Sequence, residues 1–231
     1  MTTGTGQVAD RRERYRNQTR EEAKDAALRQ LAESGTGGLS LNAIAREIGL
    51  SGPALYRYFE NREALLTALV TDGFNAIGDA LERTAKAAAG YSAEQRLRAV
   101  LGAFRKWAIT EPHRYQLLFG TPIPGYRAPE STTPAAARMF TTLLRAMVDV
   151  DADRNRADPG RTPPAPTPLD EQLVHWHADP STPPHLVRAA VIAWTRLHGV
   201  LSLEIDGAFG PMRFDTALLY ESEVDAIVAG L

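Results

Sequence analysis

Residues 40–69 read SLNAIAREIGLSGPALYRYFENREALLTAL. Ser40 is a good helix N-cap, and Leu41, Ile44, Ala45 and Ile48 follow at i, i+3, i+4 and i+7, the apolar face of a short helix. Gly49 ends that helix and permits a left-handed turn residue. Ser51 can cap a third helix, with Pro53 in a first turn that needs no amide donor, and Leu55 and Phe59 form a narrow apolar stripe. Asn61 then caps a longer fourth helix reaching about Leu81. Two short helices joined at Gly49-Leu50-Ser51 have the spacing of a helix-turn-helix, and Ala45 is small enough to let them approach closely. Gly52, Pro53, Ala54, Tyr56, Arg57 and Tyr58 are left on or near the outer surface. In a DNA major groove the tyrosine hydroxyls can bond phosphates while Arg57 reaches a base edge or a phosphate. The same spacing also fits an αα-hairpin inside a helical bundle.

Working outward, helix signals dominate. Ala23, Ala26, Ala27 and Leu31 predict a first helix ending at Gly35. Ser92 with Gln95 fits a capping box, and Leu97, Val100, Leu101, Phe104 and Trp107 share the face that follows. Further apolar stripes run through Met139–Met147, about Leu169–His177, Leu186–Leu201 and Ala217–Val228. Residues 120–134 and the proline-rich residues 158–168 read as loops. The expectation is an all-α protein of about nine or ten helices, with a three-helix N-terminal domain ahead of a larger helical body.

Composition bounds the chemistry. The chain has 231 residues with 26 Lys+Arg against 28 Asp+Glu, a formal charge of −2 that argues against a generally basic nucleic-acid binder. The average hides a local patch: Arg11, Arg12, Arg14, Arg16 and Arg20 face only Glu13 within residues 11–20. No cysteine is present, so disulfides, thiolate metal sites and cysteine nucleophiles are excluded. The sequence is expected to carry no secretory signal, no membrane span and no catalytic or cofactor fingerprint. Asp149, Asp151 and Asp153 suggest the start of a calcium loop, but Arg154 stands where glycine is needed. His175 and His177, two apart on a helix, make a poor zinc pair, and no metal is expected.

Ala45, Gly49 and Ser51, with Leu55, Tyr56 and Phe59, give residues 17–75 a specific resemblance to the DNA-binding segment of the tetracycline-repressor (TetR) family. Position by position, the resemblance implies phosphate contacts by Ser40, Ser51, Tyr56 and Tyr58, with Arg62 where the family often has lysine. Far downstream, AWTRLHGVLSLEIDG (residues 193–207) resembles the TetR C-terminal subfamily named WHG, at Trp194, His198 and Gly199. Together they imply a flexible arginine-rich arm (residues 1–16), a helix-turn-helix domain (17–62) and an effector-binding, dimerising domain (63–231), connected by the fourth helix. Such an arm, which includes Arg16 and is followed by Arg20, can cross the DNA backbone or enter a minor groove, or serve as a solubilising tail.

The expected function is a cytoplasmic, non-enzymatic transcriptional regulator, most often a repressor. It would bind a palindromic operator as a homodimer and be released by a small-molecule effector. Candidate ligand-binding residues are Phe104, Trp107, Tyr115, Phe119, Phe140, Met147, Trp194 and His198, all equally able to form plain helical core. Dimerisation is expected through Leu197, Leu201, Leu218, Val224, Ile227 and Val228. The competing class is a helical small-molecule-binding protein or enzyme that has lost DNA binding.

Overall fold

The structure, a computed structural model, describes residues 4–35, 38–176 and 181–231, those of 4–10 and Val174 by backbone only. Ten α-helices occur among them: α1 (Gly4–Ser34), α2 (Leu41–Glu47), α3 (Gly52–Leu55), α4 (Arg62–Ala87), α5 (Ala93–Thr110), α6 (Pro112–Phe119), α7 (Thr133–Ala157), α8 (Pro168–Trp176), α9 (Pro184–Ile205) and α10 (Thr216–Ala229). No strand occurs among the described residues. Helix starts follow their caps. The Ser40 hydroxyl accepts from the Ala43 amide, the Asn61 side chain from Ala64 at 2.8 Å, and Ser92 with Gln95 closes a full capping box.

Two expectations are corrected here. Residues 4–16, anticipated as a flexible arm, are the opening turns of α1, and residues 1–3 lie outside the description. The division of the chain also differs from a cut at residue 62. One compact unit holds the residues up to Gly73 together with His113–Thr132, and the other holds Phe74–Pro112 with Thr133–Leu231. The reason is burial. Ile123, in the loop after α6, is only 7% exposed in a core shared with Ala23, Ala27, Ile44, Ala45, Leu55 and Phe59. Thr67 on α4 also hydrogen-bonds the Tyr126 hydroxyl at 3.2 Å.

In the second unit α5, α7 and α9 pack around Leu97, Leu101, Phe104, Met147, Leu186 and Leu197, with α8 and α10 against α9. The buried Tyr220 hydroxyl donates to the Leu101 carbonyl at 2.8 Å, giving its polar end a partner. Arg138 on α7 bonds Asn75, Asp79 and Glu82 along α4. Asp149, Asp151 and Asp153 stand on α7, a helix rather than an ion-binding loop. By length and composition α9 is apolar enough to cross a membrane, a run not anticipated from the sequence. Here it lays Leu186, Val187, Ala190, Ala193, Leu197 and Leu201 into the core, and it carries Arg188 and Arg196.

The proline-rich loop ends in an ionic clasp. The Asp170 carboxylate accepts from the Thr167 amide (2.7 Å) and hydroxyl (2.8 Å) and pairs with Arg188 of α9 at 3.0 Å. Burial pushes its carboxyl up, but these hydrogen bonds and the charges of Arg188 and His185 outweigh that and hold it below 3.8. The stabilisation is therefore complete above the ordinary aspartate range and fades as pH falls through the folded value. Asp170→Ala strands a buried arginine donor and is expected to lower unfolding free energy by about 2 kcal/mol at pH 7. Urea denaturation should show that gap narrowing as pH falls below the ordinary aspartate range.

Candidate nucleic-acid interface

The turn between α2 and α3 is set by backbone chemistry. Gly49 has φ +72°, its amide bonds the Arg46 carbonyl, and the Leu50 amide bonds that of Ala45 at 2.7 Å. This pair of bonds is a Schellman motif, and it leaves Leu50 packed on the core of the first unit. The α2–α3 crossing is tight at Gly52, where an added Cβ would stand 2.6 Å from the Asn42 side chain.

Helix α3 has four residues, shorter than the stripe from Leu55 to Phe59 suggests, and continues as turns through Tyr58. One isolated turn has almost no stability of its own. Packing supplies it, since Leu55 is fully buried and Phe59 is 2% exposed. Arg20 of α1 adds a clamp: Nη1 donates to the Tyr58 carbonyl at 2.6 Å, and the guanidinium lies 4.5 Å from the centroid of the Phe59 ring.

The expected DNA-facing residues fall into three groups. Ser40, Ser51, Pro53, Tyr56, Arg57 and Arg16 are exposed. Ser51 makes no capping bond with its side chain, and Ser40 accepts one as a cap while its own proton stays available to an anion. Gly52, Ala54 and Arg62 are half-buried. Tyr58 is half-buried against the core and Arg20 is committed to the clamp, so these two position the segment as much as they present it. An open groove of about 1030 Å³ runs between α1 and the turns after α3, lined by Arg12, Arg16, Arg20, Arg57 and Tyr58, with Glu13 as its acid. Sequence reasoning left Arg12 out of the site. Its spacing of four from Arg16 and of eight from Arg20 was the available signal.

The expected ligand-binding residues divide between the two compact units. Tyr115 and Phe119 belong to the first unit and the other six to the second. Phe104 and Trp194 border an apolar cavity of about 20 Å³ with Leu81, Met139, Leu143 and Leu197, room for about one water. Trp107 and Met147 are buried core, Phe140 is packed edge-on against Trp176 (4.9 Å), and His198 stacks on Trp194 (5.2 Å, 13°). The expected dimer residues are corrected as well. Leu197, Leu201, Val224, Ile227 and Val228 are buried within the protomer, and only Leu218 is exposed, at 64%. A 3.6-residue apolar period marks the face a helix turns to its own core, and here that core is internal.

A helix-turn-helix presenting tyrosine and arginine beside an arginine-lined groove defines a DNA-binding regulator, and the comparisons agree. Residues 24–69 match the family described as bacterial regulatory proteins, tetR family, and residues 97–227 match the tetracyclin repressor-like C-terminal domain. The chain is 31% identical over 229 residues to HTH-type transcriptional regulator Rv1816 of Mycobacterium tuberculosis (strain ATCC 25618 / H37Rv), covering 98% of this chain and 97% of that protein. Its structure is similar to the crystal structure of SCO4313 (TM-score 0.79, 40% identity, 94% and 98% of the two chains). It is also similar to a protein with unknown function from Rhodococcus sp. RHA1 (TM-score 0.69, 25% identity, 92% and 95%). The chain belongs to the TetR family of transcriptional regulators.

Gly49→Ala tests the turn. A Cβ there meets nothing within 4 Å, so the cost is that of a left-handed backbone alone. Thermal unfolding should report about 1 kcal/mol of destabilisation, with weaker DNA binding from the loosened α2–α3 pair.

Proposed function

We propose that the protein represses transcription as a homodimer on a palindromic operator in the cytoplasm and is released by a small-molecule effector. The observation that carries the reading is the exposed Tyr56-Arg57 pair on a helix-turn-helix whose next two residues are clamped by Arg20. Tyr56 and Tyr58 hydroxyls suit phosphates, Ser40 and Ser51 flank them in sequence, and Arg57 suits a base edge or phosphate. Arg62, at the start of α4, suits a further phosphate.

A second copy fits the outward faces of α9 and α10. Ile192, Gly199 and Leu203 share one exposed face of α9, and Leu218, Ser222 and Ala226 share one of α10. Helix pairs of this kind meeting across a twofold axis make an isologous four-helix interface. Two recognition segments would then engage half-sites about 34–36 Å apart, or a multiple of that spacing. The effector is assigned to the second unit, whose apolar centre at Phe104 and Trp194 is not fully filled. Release follows if effector and operator favour different states of the dimer, a coupling that acts equally in both directions. Helix α4 carries the chain from one unit into the other, the first of three covalent crossings between them.

Fluorescence-anisotropy titration of a duplex from the protein's own upstream region tests the docking. Tyr56→Ala with Tyr58→Ala should weaken binding at every sequence by on the order of tenfold or more, and unchanged binding would sink the arrangement. Leu203→Glu should yield monomers in sedimentation velocity while leaving the helical content intact, and operator affinity should fall with the dimer.

A further inference from the structure

We propose that the N-terminal turns of α1 are a preformed helical clamp for the DNA sugar-phosphate backbone, with Arg12 and Arg16 as phosphate contacts. The inference rests on the reading of the first unit as the DNA-binding head. Residues 11–18 lie before both the core that α1 helps to build, which begins at Ala23, and the family match, which begins at residue 24. All eight are exposed, so these turns are not needed to fold the head.

Their arginines are ordered. Arg12, Arg16 and Arg20 repeat every four residues along one side of the helix, about 6 Å apart along its axis. Like charges at this spacing disfavour the helix. Neither Arg12 nor Arg16 has an ion pair among the described residues, and Glu13 is the acid in the groove they line. An overall charge of −2 shows that composition does not force such a row. A regular row of cations suits a row of anions. Because Arg57 lines the same groove and Arg20 ties α1 to the Tyr58 carbonyl, the row is held in fixed register with the recognition segment. A membrane surface is the weaker match, since residues 11–18 carry Tyr15 as their one large apolar group and lack an apolar face to insert.

The test uses the full-length protein and two duplexes of about 30 base pairs, one from its upstream region and one scrambled, titrated across a salt series. Arg12→Gln with Arg16→Gln should reduce affinity for both duplexes by on the order of tenfold or more, with the log–log salt slope shallower by about 0.9 for each phosphate no longer neutralised. Gln18→Pro retains every arginine but stops the helix upstream, while Asn17 can cap the remainder from residue 18 onward. It should behave like the double variant, with the thermal midpoint of both kept near the parent's. Parent-like affinity and slope in the double variant overturn the proposal. So does a weakened double variant beside a parent-like Gln18→Pro, which would describe a flexible tail. In a parallel titration against phosphatidylserine vesicles, a loss in the double variant confined to vesicle binding would assign the row to a membrane and likewise overturn the proposal. Tyr56→Ala, run alongside, separates this failure from that of the head itself, because Tyr56 is exposed and does not line the groove of Arg12 and Arg16.

Discussion

The interaction on which the interface depends is the contact of Arg20 with the chain just beyond α3. A single helical turn followed by irregular backbone cannot hold Tyr56 and Arg57 at fixed angles by itself. Phe59, buried at 2% exposure, anchors the segment from below, and the Arg20 guanidinium covers that ring while satisfying the Tyr58 carbonyl. One side chain thus does two jobs, and both require its charge to stay at the edge of the core. It also links the longest helix of the head to the shortest. Any change in the direction of α1 is therefore felt at the exposed Tyr56 and Arg57.

Much of this was legible in the sequence because the signals were local. Ser40, Asn61 and the Ser92–Gln95 pair specify helix starts through side-chain-to-backbone bonds that span three residues. Gly49 specifies a turn because its backbone angle is unfavourable for other residues. The apolar period of α2 identified Ile44 and Ala45 as the inward side, and both are fully buried. What escaped was set by contacts distant in sequence. Nothing near Ile123 announces that a loop far downstream of α3 completes the core of the head. Arg20 read as a DNA contact because only the folded chain shows the ring and carbonyl it meets.

The misreading of the dimer face has a different cause. Hydrophobic periodicity reports which side of a helix is inward, and it does not tell the inside of a protomer from the inside of an assembly. Leu197, Leu201 and Val224 satisfied the pattern and went to the protomer's core. The outward faces of α9 and α10 instead combine single large apolar groups, Ile192, Leu203 and Leu218, with Gly199, Ser222 and Ala226. Such a mixture looks ordinary in a linear sequence. In the proposed dimer this mixture would let two helix pairs approach closely, since small residues leave room for a neighbour's side chains.

Net charge says little about the attraction this protein can exert on a polyanion. Up to residue 75 the chain carries ten Lys+Arg and ten Asp+Glu, so neither the whole protein nor its head is basic. An attraction to polyanions therefore has to come from arrangement. On a flexible arm, five arginines among residues 11–20 would sample many directions, and their ordering would cost conformational entropy on binding. On a helix continuous with the core of the head, that ordering is already complete, and the repulsion between successive arginines is carried by the free protein. The groove between α1 and Arg57 thus concentrates like charge that a mixed-charge surface of the same shape would not, and in the proposed complex a phosphate backbone would relieve that repulsion.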